Sequence, residues 1–195
     1  METLETARLR LRPLTLDDVD AYYAGISSDP DVMRYLPGGD KARQRSDSEW
    51  VITYFMQHAK LHGFGIWGVE EKSSGRLLGH AGLEYIPNAQ EVEIAYTLAK
   101  AAWGRGYATE AARASLQYGF EALNLDAIYG LSFPANVASQ HVMQKLGMKY
   151  EGITDRYYHA ELTCYKLSRE DYFAANANRL PPAEEKTPRG DHERA

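Results

Sequence analysis

The spacing of apolar residues along this chain predicts where its first elements lie. Residues 8–12 (RLRLR) alternate apolar and charged side chains, which is typical of a strand that buries one face. Thr15 precedes Leu16, Asp17 and Asp18, and a hydroxyl cap followed by acidic residues predicts the start of a helix. We expect this helix to end near residues 27–30. Residues 33–40 (MRYLPGGD) predict a loop, because proline and glycine interrupt regular structure.

The middle of the chain changes from a helical spacing to short strand-like runs. The elements predicted here are a helix from Ser46 or Ser48 to about Leu61, strands at 64–69 and 77–85 around a turn at 72–75 (KSSG), and a strand at 91–98 (EVEIAYTL). Two strands joined by a glycine-containing turn predict a hairpin, so we expect this part of the chain to form antiparallel sheet.

The second half alternates helical and strand-like segments. Apolar residues recur at helical spacing from Ala108 to Leu123; a strand at 127–133, a helix at 136–146 ended by Gly147, and strands within 149–158 and 162–168 follow. This order predicts an α+β fold with about seven strands and about four helices, in one domain over 1–177. Residues 178–195 are polar and proline-rich, which predicts a flexible tail.

Composition and charge narrow the classes of function. The chain has 195 residues, 44% of them apolar, which suits one domain with a substantial core. Its net charge of −5 gives no support to nucleic-acid binding. Cys164 has no partner for an internal disulfide, and we find neither a signal peptide nor a run of the ~20 apolar residues that a membrane helix needs. We therefore expect a cytoplasmic protein without a membrane or nucleic-acid partner.

The stretch 101–111 (AAWGRGYATEA) places a Gly-Arg-Gly turn between a predicted strand and a predicted helix. Gly104 and Gly106 permit a sharp bend, and the N–H groups of the residues from Arg105 to Thr109 include the unpaired donors of a helix start. Such a turn suits a phosphate group, although a plain tight turn would use the same glycines. The turn lacks the lysine of a P-loop, and Thr109 stands where a dinucleotide fingerprint has its third glycine.

A wider comparison of motifs favours a third interpretation. Residues 91–111 and 134–148 (PANVASQHVMQKLGM) resemble the GNAT superfamily of acyl-CoA-dependent N-acetyltransferases. The resemblance is closer to its RimJ/RimL-type branch, in which RLRLRPL (8–14) and SDPDVMRYLP (28–37) are typical. It covers about residues 8–172 and implies a mostly antiparallel mixed sheet with helices on both faces. It also implies acetyl-CoA as co-substrate, with its pyrophosphate at the Gly-Arg-Gly turn, and no metal.

The resemblance also implies how the cofactor binds. The strand before the turn should splay from its neighbour and leave backbone groups free for the pantetheine arm. The implied cofactor-binding residues are Tyr96, Thr97 and Leu98 on that strand, Gly104, Arg105, Gly106, Tyr107, Ala108 and Thr109 in the turn, and Asn136. Asn136 also fits a helix N-cap, with Ser139 at the third helical position. Trp103 replaces the usual Gln or Arg of the turn, and we expect it to pack against the sheet.

The chemistry requires a neutral amine, so a base must remove a proton from an ammonium group. Glu93 matches the strand glutamate of many relatives and is the predicted base, although Glu91 and Glu93 could both line a solvent-facing side of the strand. The tyrosine that many relatives use as proton donor is replaced by Met143, which leaves Ser139 as the predicted substitute. His58 and His62 lie four residues apart, but HAKLH lacks the glutamate of a HExxH site, so an exposed polar face is the better interpretation.

The acceptor should enter opposite the cofactor. The residues implied to form its walls are Tyr35, Trp50, Tyr54, Glu84, Tyr85 and Tyr158. The sequence leaves the acceptor open between a protein N-terminus and a small amine such as a polyamine, an amino acid or an antibiotic-like molecule. A non-catalytic acyl-CoA-binding module is the alternative from another functional class. Relatives of this kind often pair, so the resemblance suggests a homodimer, for which the sequence itself carries no separate sign.

Overall fold

A computed structural model describes residues 1–36, 39, 41 and 43–177. The predicted tail at 178–195 lies outside the described residues, as do Pro37, Gly38 and Asp40 of the predicted loop at 33–40. Among the helices that the structure describes, none combines the length and the apolar character that crossing a membrane requires.

The described residues form one mixed sheet of eight strands in the order β1-β2-β3-β4-β5-β6-β8-β7. The strands are β1 (Leu4–Glu5), β2 (Leu9–Pro13), β3 (Ile66–Glu71), β4 (Arg76–Ile86), β5 (Glu91–Leu98), β6 (Ala127–Ser132), β7 (Lys149–Thr154) and β8 (Leu162–Ser168). Every neighbouring pair is antiparallel except β5 and β6. The predicted α+β class and mostly antiparallel sheet are confirmed. The extra strand is β1, whose two residues are too few to show a period.

Six α-helices lie within the described residues, where the sequence predicted about four. They are α1 (Val19–Tyr22), α2 (Pro30–Met33), α3 (Arg45–His62), α4 (Tyr107–Gln117), α5 (Val137–Lys145) and α6 (Arg169–Asn176). The predicted helix after Thr15 continues past α1 in a π-helical turn to Ser27. The start predicted for α3 at Ser46 or Ser48 is wrong, because Gln44 caps this helix and donates its N–H to Asp47 at 2.7 Å.

The two faces of the sheet pack against different helices. On one face, Val92 and Ile94 of β5 share a core cluster with Leu116 of α4. On the other face, a second cluster joins α1 to α3 through residues such as Tyr22 and Phe55. The alternation of side chains along β5 therefore divides the strand: its even-numbered residues from Val92 to Leu98 face α4, and its odd-numbered residues face the α3 side.

The sheet opens between β5 and β6. Strand β5 pairs with β4 along its whole length, from Glu91 opposite Ile86 to Leu98 opposite Gly79. In the part of the chain that the structure describes, its ladder with the parallel strand β6 has one pair, Glu93 with Tyr129. The two strands diverge after this pair, as the resemblance implied. Because alternate backbone groups of a strand point to each neighbour, the end of β5 presents groups without a strand partner on that side.

Candidate active site

The Gly-Arg-Gly turn presents a group of backbone donors. Gly104 and Gly106 have φ angles of 70° and 77°, in the left-handed region that favours glycine. Gly106 is the N-cap residue of α4. No acceptor among the described residues receives a hydrogen bond from the N–H groups of the residues from Gly104 to Thr109. These donors, with the positive end of the α4 dipole behind them, have the arrangement that suits an anion.

Side chains from outside the turn hold it in place. Arg8 donates through Nη1 to the carbonyl of Arg105 at 3.0 Å and pairs with Glu110 at 2.6 Å. Glu71 accepts from the Tyr107 hydroxyl at 2.6 Å and pairs with Arg105 at 3.1 Å. Arg105 was predicted to bind the cofactor, but its guanidinium is directed at Glu71. The turn offers its backbone, rather than this side chain, to an anion.

Trp103 closes the far end of β5. Its indole nitrogen donates to the carbonyl of Leu98 at 2.7 Å, and the side chain is half-exposed. The Leu98 carbonyl, predicted as a cofactor contact, thus already accepts one hydrogen bond from the protein. The N–H of Ala99 donates to Leu78 of β4, and alternation directs the backbone groups of Thr97 to β4 as well, so Thr97 is not available as the prediction required. Tyr96 carries the backbone groups of the open edge that remain from the prediction.

The hydroxyl groups of Tyr96 on β5 and Ser139 on α5 meet beside the opening of the sheet. Asn136 caps α5, as the sequence predicted: its Oδ1 accepts from the backbone N–H of Ser139 at 3.2 Å, which leaves the amide nitrogen for another partner. The Tyr96 hydroxyl lies 3.0 Å from Ser139 Oγ and donates to the Ser139 carbonyl at 3.0 Å. Burial raises the pKa of Tyr96 to about 12, so the phenol stays a neutral donor. Sequence reasoning assigned Tyr96 a backbone role and missed this side chain.

Glu93 is buried at the point where β5 and β6 diverge, with 8% of its surface exposed. Tyr158 donates its hydroxyl to Glu93 Oε1. Burial raises the pKa of Glu93 to about 8 against the effect of this hydrogen bond, and the nearby charge of Glu84 adds to the rise. The alternative of a solvent-facing Glu93 is wrong. Glu91 is less buried and is paired with Arg156 at 2.9 Å.

Three of the predicted acceptor residues meet around Glu93. Glu84 lies opposite it in the β4–β5 register, Tyr158 contacts it, and Tyr54 donates to Glu84 Oε1 at 2.5 Å. Trp50 stacks on Tyr54 with ring centroids 5.9 Å apart. Tyr85 lies beside the group and packs on the His62 ring, whereas Tyr35 contacts Arg34.

The predicted exposed polar face at His58 and His62 is wrong, because His62 is half-buried against Phe64 and Tyr85. His58 is buried, and its Nε2 accepts from the backbone N–H of Tyr85 at 3.0 Å. Burial lowers the pKa of His58, so the ring is held neutral and acts as a structural acceptor beside the acceptor wall. Cys164 is buried in a core cluster with Ile86, Tyr157 and Leu162, and its thiol is free.

Comparison with known proteins agrees with this geometry. The family model described as "Acetyltransferase (GNAT) domain" matches residues 8–149. The chain belongs to the GNAT family. It is an acetyl-CoA-dependent N-acetyltransferase. It is similar to YkkB of Bacillus subtilis, at 39% identity over 75% of this chain and 85% of that protein. It is also similar to the N-acetyltransferase YoaA of the same organism, at 30% identity over 83% and 91% of the two chains.

Solved structures share the GNAT fold. An acetyltransferase of the GNAT family from Bacillus anthracis superposes with a TM-score of 0.73 at 26% identity, over 87% of this chain and 99% of that one. The comparisons therefore place the site described above in an acetyltransferase with the GNAT fold.

The turn predicts a specific effect of one methyl group. We expect Gly106→Ala to weaken coenzyme A binding roughly tenfold, because a side chain at φ 77° strains the turn that aims the donors. Its new Cβ would meet Arg8 Nη2 at an ordinary 3.6 Å, so backbone strain is the main effect. Calorimetric titration with coenzyme A measures the change. Gly63→Ala is the matched control: it has φ 78° and open space, and should lose similar stability but no affinity. Equal affinity losses in both variants would contradict the prediction.

Proposed function

We propose that this enzyme transfers the acetyl group of acetyl-CoA directly to a primary amine, with Glu93 as general base, acting directly or through a water molecule. The observation that carries the proposal is the position of Glu93: a buried carboxylate with a raised pKa, at the pair where β5 and β6 separate. On one side of this point lies the open edge of β5, and on the other lies the wall formed by Tyr54, Glu84 and Tyr158.

The residues fit coenzyme A as a bound co-substrate. The turn from Gly104 to Thr109 offers N–H donors without protein acceptors, which suit a pyrophosphate. The edge of β5 at Tyr96 offers backbone groups that an extended pantetheine arm would use as another strand would. The Asn136 amide nitrogen is available to the same arm. Bound acetyl-CoA supplies the activated acetyl group as a thioester.

The pKa of Glu93 suits the proton that it has to remove. An α-amine has a pKa of about 8 and a lysine-like amine about 10.4, so both arrive mainly as ammonium ions near neutral pH. A carboxylate with a pKa of about 8 can take the proton of an α-amine at little energetic cost. In solution, a glutamate with a pKa of about 4.3 would be a much weaker base.

The leaving thiolate would be stabilised by hydrogen bonds. Ser139 and Tyr96 place two hydroxyls on the α5 side of the open edge. A thiol has a pKa of about 8.5, well below that of Tyr96, so Tyr96 would not give its proton to the thiolate, and its O–H is donated to the Ser139 carbonyl. We propose Ser139 as the donor closest to the sulfur and Tyr96 as the residue that positions its hydroxyl.

The acceptor, the cellular location and the oligomeric state are proposed from the sequence. The RimJ/RimL-type motifs favour a protein N-terminus as the acceptor, and a small-molecule amine is the second candidate. We also propose a cytoplasmic location, in keeping with the single cysteine, and a homodimer by analogy with that branch.

The test combines binding and turnover. Calorimetry measures coenzyme A uptake, and thiol release is followed with acetyl-CoA and a panel of peptides and small amines, with mass spectrometry of the products. An N-acetylated product supports the proposal and identifies the acceptor class. Coenzyme A uptake without thiol release for any amine would support a non-catalytic binding module. Absence of uptake would overturn the cofactor site itself.

The raised pKa of Glu93 predicts a pH profile. The base acts as a carboxylate, so kcat/KM should rise about tenfold per pH unit below pH 8. With an acceptor of pKa about 10.4, which is still an ammonium ion at pH 9, the profile should level off between about pH 8 and pH 10. Glu84, Tyr54 and Tyr158 are the titratable groups around Glu93. A profile that rises without a bend up to pH 10 would contradict this role.

A further inference from the structure

Glu84 and Glu93 are two neighbouring carboxylates without a cationic partner. They lie directly opposite each other on β4 and β5, where opposed Cβ atoms are about 5 Å apart. Neither takes part in an ion pair within the described residues; each receives one tyrosine hydroxyl, from Tyr54 and Tyr158. Like charges opposite each other in a sheet are destabilising, so the fold keeps this pair at a cost.

The contrast with Glu91 shows that the missing cation is specific to this place. Glu91 lies on the same strand and the same face, two residues before Glu93. It is paired with Arg156 at 2.9 Å and accepts from the Tyr157 hydroxyl at 2.6 Å. Arg156 thus provides a guanidinium for Glu91, whereas no described residue provides one for the buried Glu93 and the half-buried Glu84.

The wall above the pair suits the body of an amine. Tyr54, which holds Glu84, is stacked at 7° on Trp50, and the Trp50 side chain is 68% exposed. An exposed tryptophan at the mouth of a site offers a flat apolar surface to an aliphatic or aromatic chain and attracts cations. The arrangement places an apolar aromatic surface, formed by Trp50 and Tyr54, next to the negatively charged groups of Glu84 and Glu93.

We propose that Glu84 is a specificity-determining residue, which with Glu93 binds the ammonium group of the acceptor and selects primary amines that carry no carboxylate beside the amine. The inference rests on the proposed function. A cationic acceptor supplies the charge that the pair lacks, and Glu93 then takes its proton while Glu84 keeps its charge. The carboxylate of a free amino acid would lie close to the buried Glu93 and the half-buried Glu84, and their negative charges would repel it. Amines, diamines and peptide N-termini satisfy this requirement.

The test uses substrate pairs that differ by one carboxylate: butylamine with norvaline, 2-phenylethylamine with phenylalanine, and 1,5-diaminopentane with lysine. A peptide with a neutral N-terminal residue is added. Steady-state assays run at pH 9 with mass spectrometry to locate the acetyl group. In the wild type we expect kcat/KM for each amine to exceed that for α-acetylation of its carboxylate partner at least tenfold. Glu84→Gln should raise KM for the amines about tenfold, change kcat less than threefold, and reduce the discrimination to a few fold.

Glu91→Gln is the matched control, because it removes a carboxylate from the same face and should leave both KM and discrimination unchanged. Wild-type enzyme that uses the amino acids as well as the amines, or a Glu84→Gln variant with unchanged KM and discrimination, would overturn the inference. Absence of acetylation with every acceptor would instead overturn the proposed function, and the two failures are therefore distinguishable. Thermal unfolding of each variant checks that the fold is retained.

Discussion

Replacing Glu93 by glutamine is expected to lower kcat/KM for acetyl transfer by 10²–10⁴-fold, the usual range for a general base. Glutamine has the same shape and can still accept the hydrogen bond of the Tyr158 hydroxyl, so the site should keep its geometry. The loss would then report the proton acceptor alone. Thiol release under saturating acetyl-CoA measures it, with calorimetry to show that coenzyme A still binds within about twofold.

The same variant has an independent effect on stability. The folded-state pKa of Glu93 is raised to about 8, above its unfolded value of about 4.3, so the native protein binds the extra proton between these values. Stability from this group is therefore full below about pH 4 and is lost as pH rises through 8. Glu93→Gln should be more stable than the wild type at pH 9, by an amount on the order of a few kcal/mol, and nearly equal to it at about pH 4.

This combination separates catalysis from folding. A variant that is inactive and more stable at pH 9 cannot owe its inactivity to unfolding. Glu91→Gln, on the same face of β5, should keep its activity within about twofold, because Glu91 is engaged by Arg156 and Tyr157. Activity of Glu93→Gln within threefold of the wild type would show that Glu93 is not the base. The acceptor would then react as the fraction of amine that is already neutral in solution.

The elements that the sequence predicted well are those whose signals are local. The alternation in EVEIAYTL and the following glycine turn predicted β5 with its observed bounds, and Asn136 with Gly147 marked both ends of α5. Helix α6 was missed because its residues are mainly polar and Tyr172 is its buried residue. Helix α2 was also missed, because it lies between the predicted end of the first helix and the predicted loop at 33–40. Its signal was present in the sequence: Asp29 is the N-cap and Pro30 is the first helical residue.

The site was predictable in its residues but not in its environment. Motif resemblance identified Glu93, Tyr158 and Glu84, yet their contact depends on the register of β4 against β5 and on a loop 65 residues further along the chain. The burial that raises the pKa of Glu93 arises from this assembly. The same is true of Tyr96 and Ser139, which are 43 residues apart and meet across the opening of the sheet. Period-two alternation could have placed the Tyr96 side chain on the α5 side.

The register that brings Glu84 opposite Glu93 depends on a close contact at Gly79. This residue lies in β4 next to a register shift against β3, and its φ of 147° is unfavourable for a side chain. A Cβ built there would lie 2.1 Å from the Thr97 carbonyl oxygen and 2.8 Å from Leu98 Cα, both backbone atoms of β5. Backbone atoms of a central strand have little freedom to move, so the overlap could be relieved only by separating β4 from β5.

We therefore expect Gly79→Ala to destabilise the protein by about 3 kcal/mol or more, because steric overlap adds to backbone strain. Coenzyme A binding should fall with it, since the same end of β5 carries the open edge at Tyr96. Gly75→Ala is the matched control in the same hairpin: φ is 67° with nothing within 4 Å, so strain alone should cost about 1–2 kcal/mol. Urea unfolding of both variants measures the difference. Equal losses would show that β5 yields to the methyl group, and that the contact at Gly79 does not fix the position of the strand that carries Glu93.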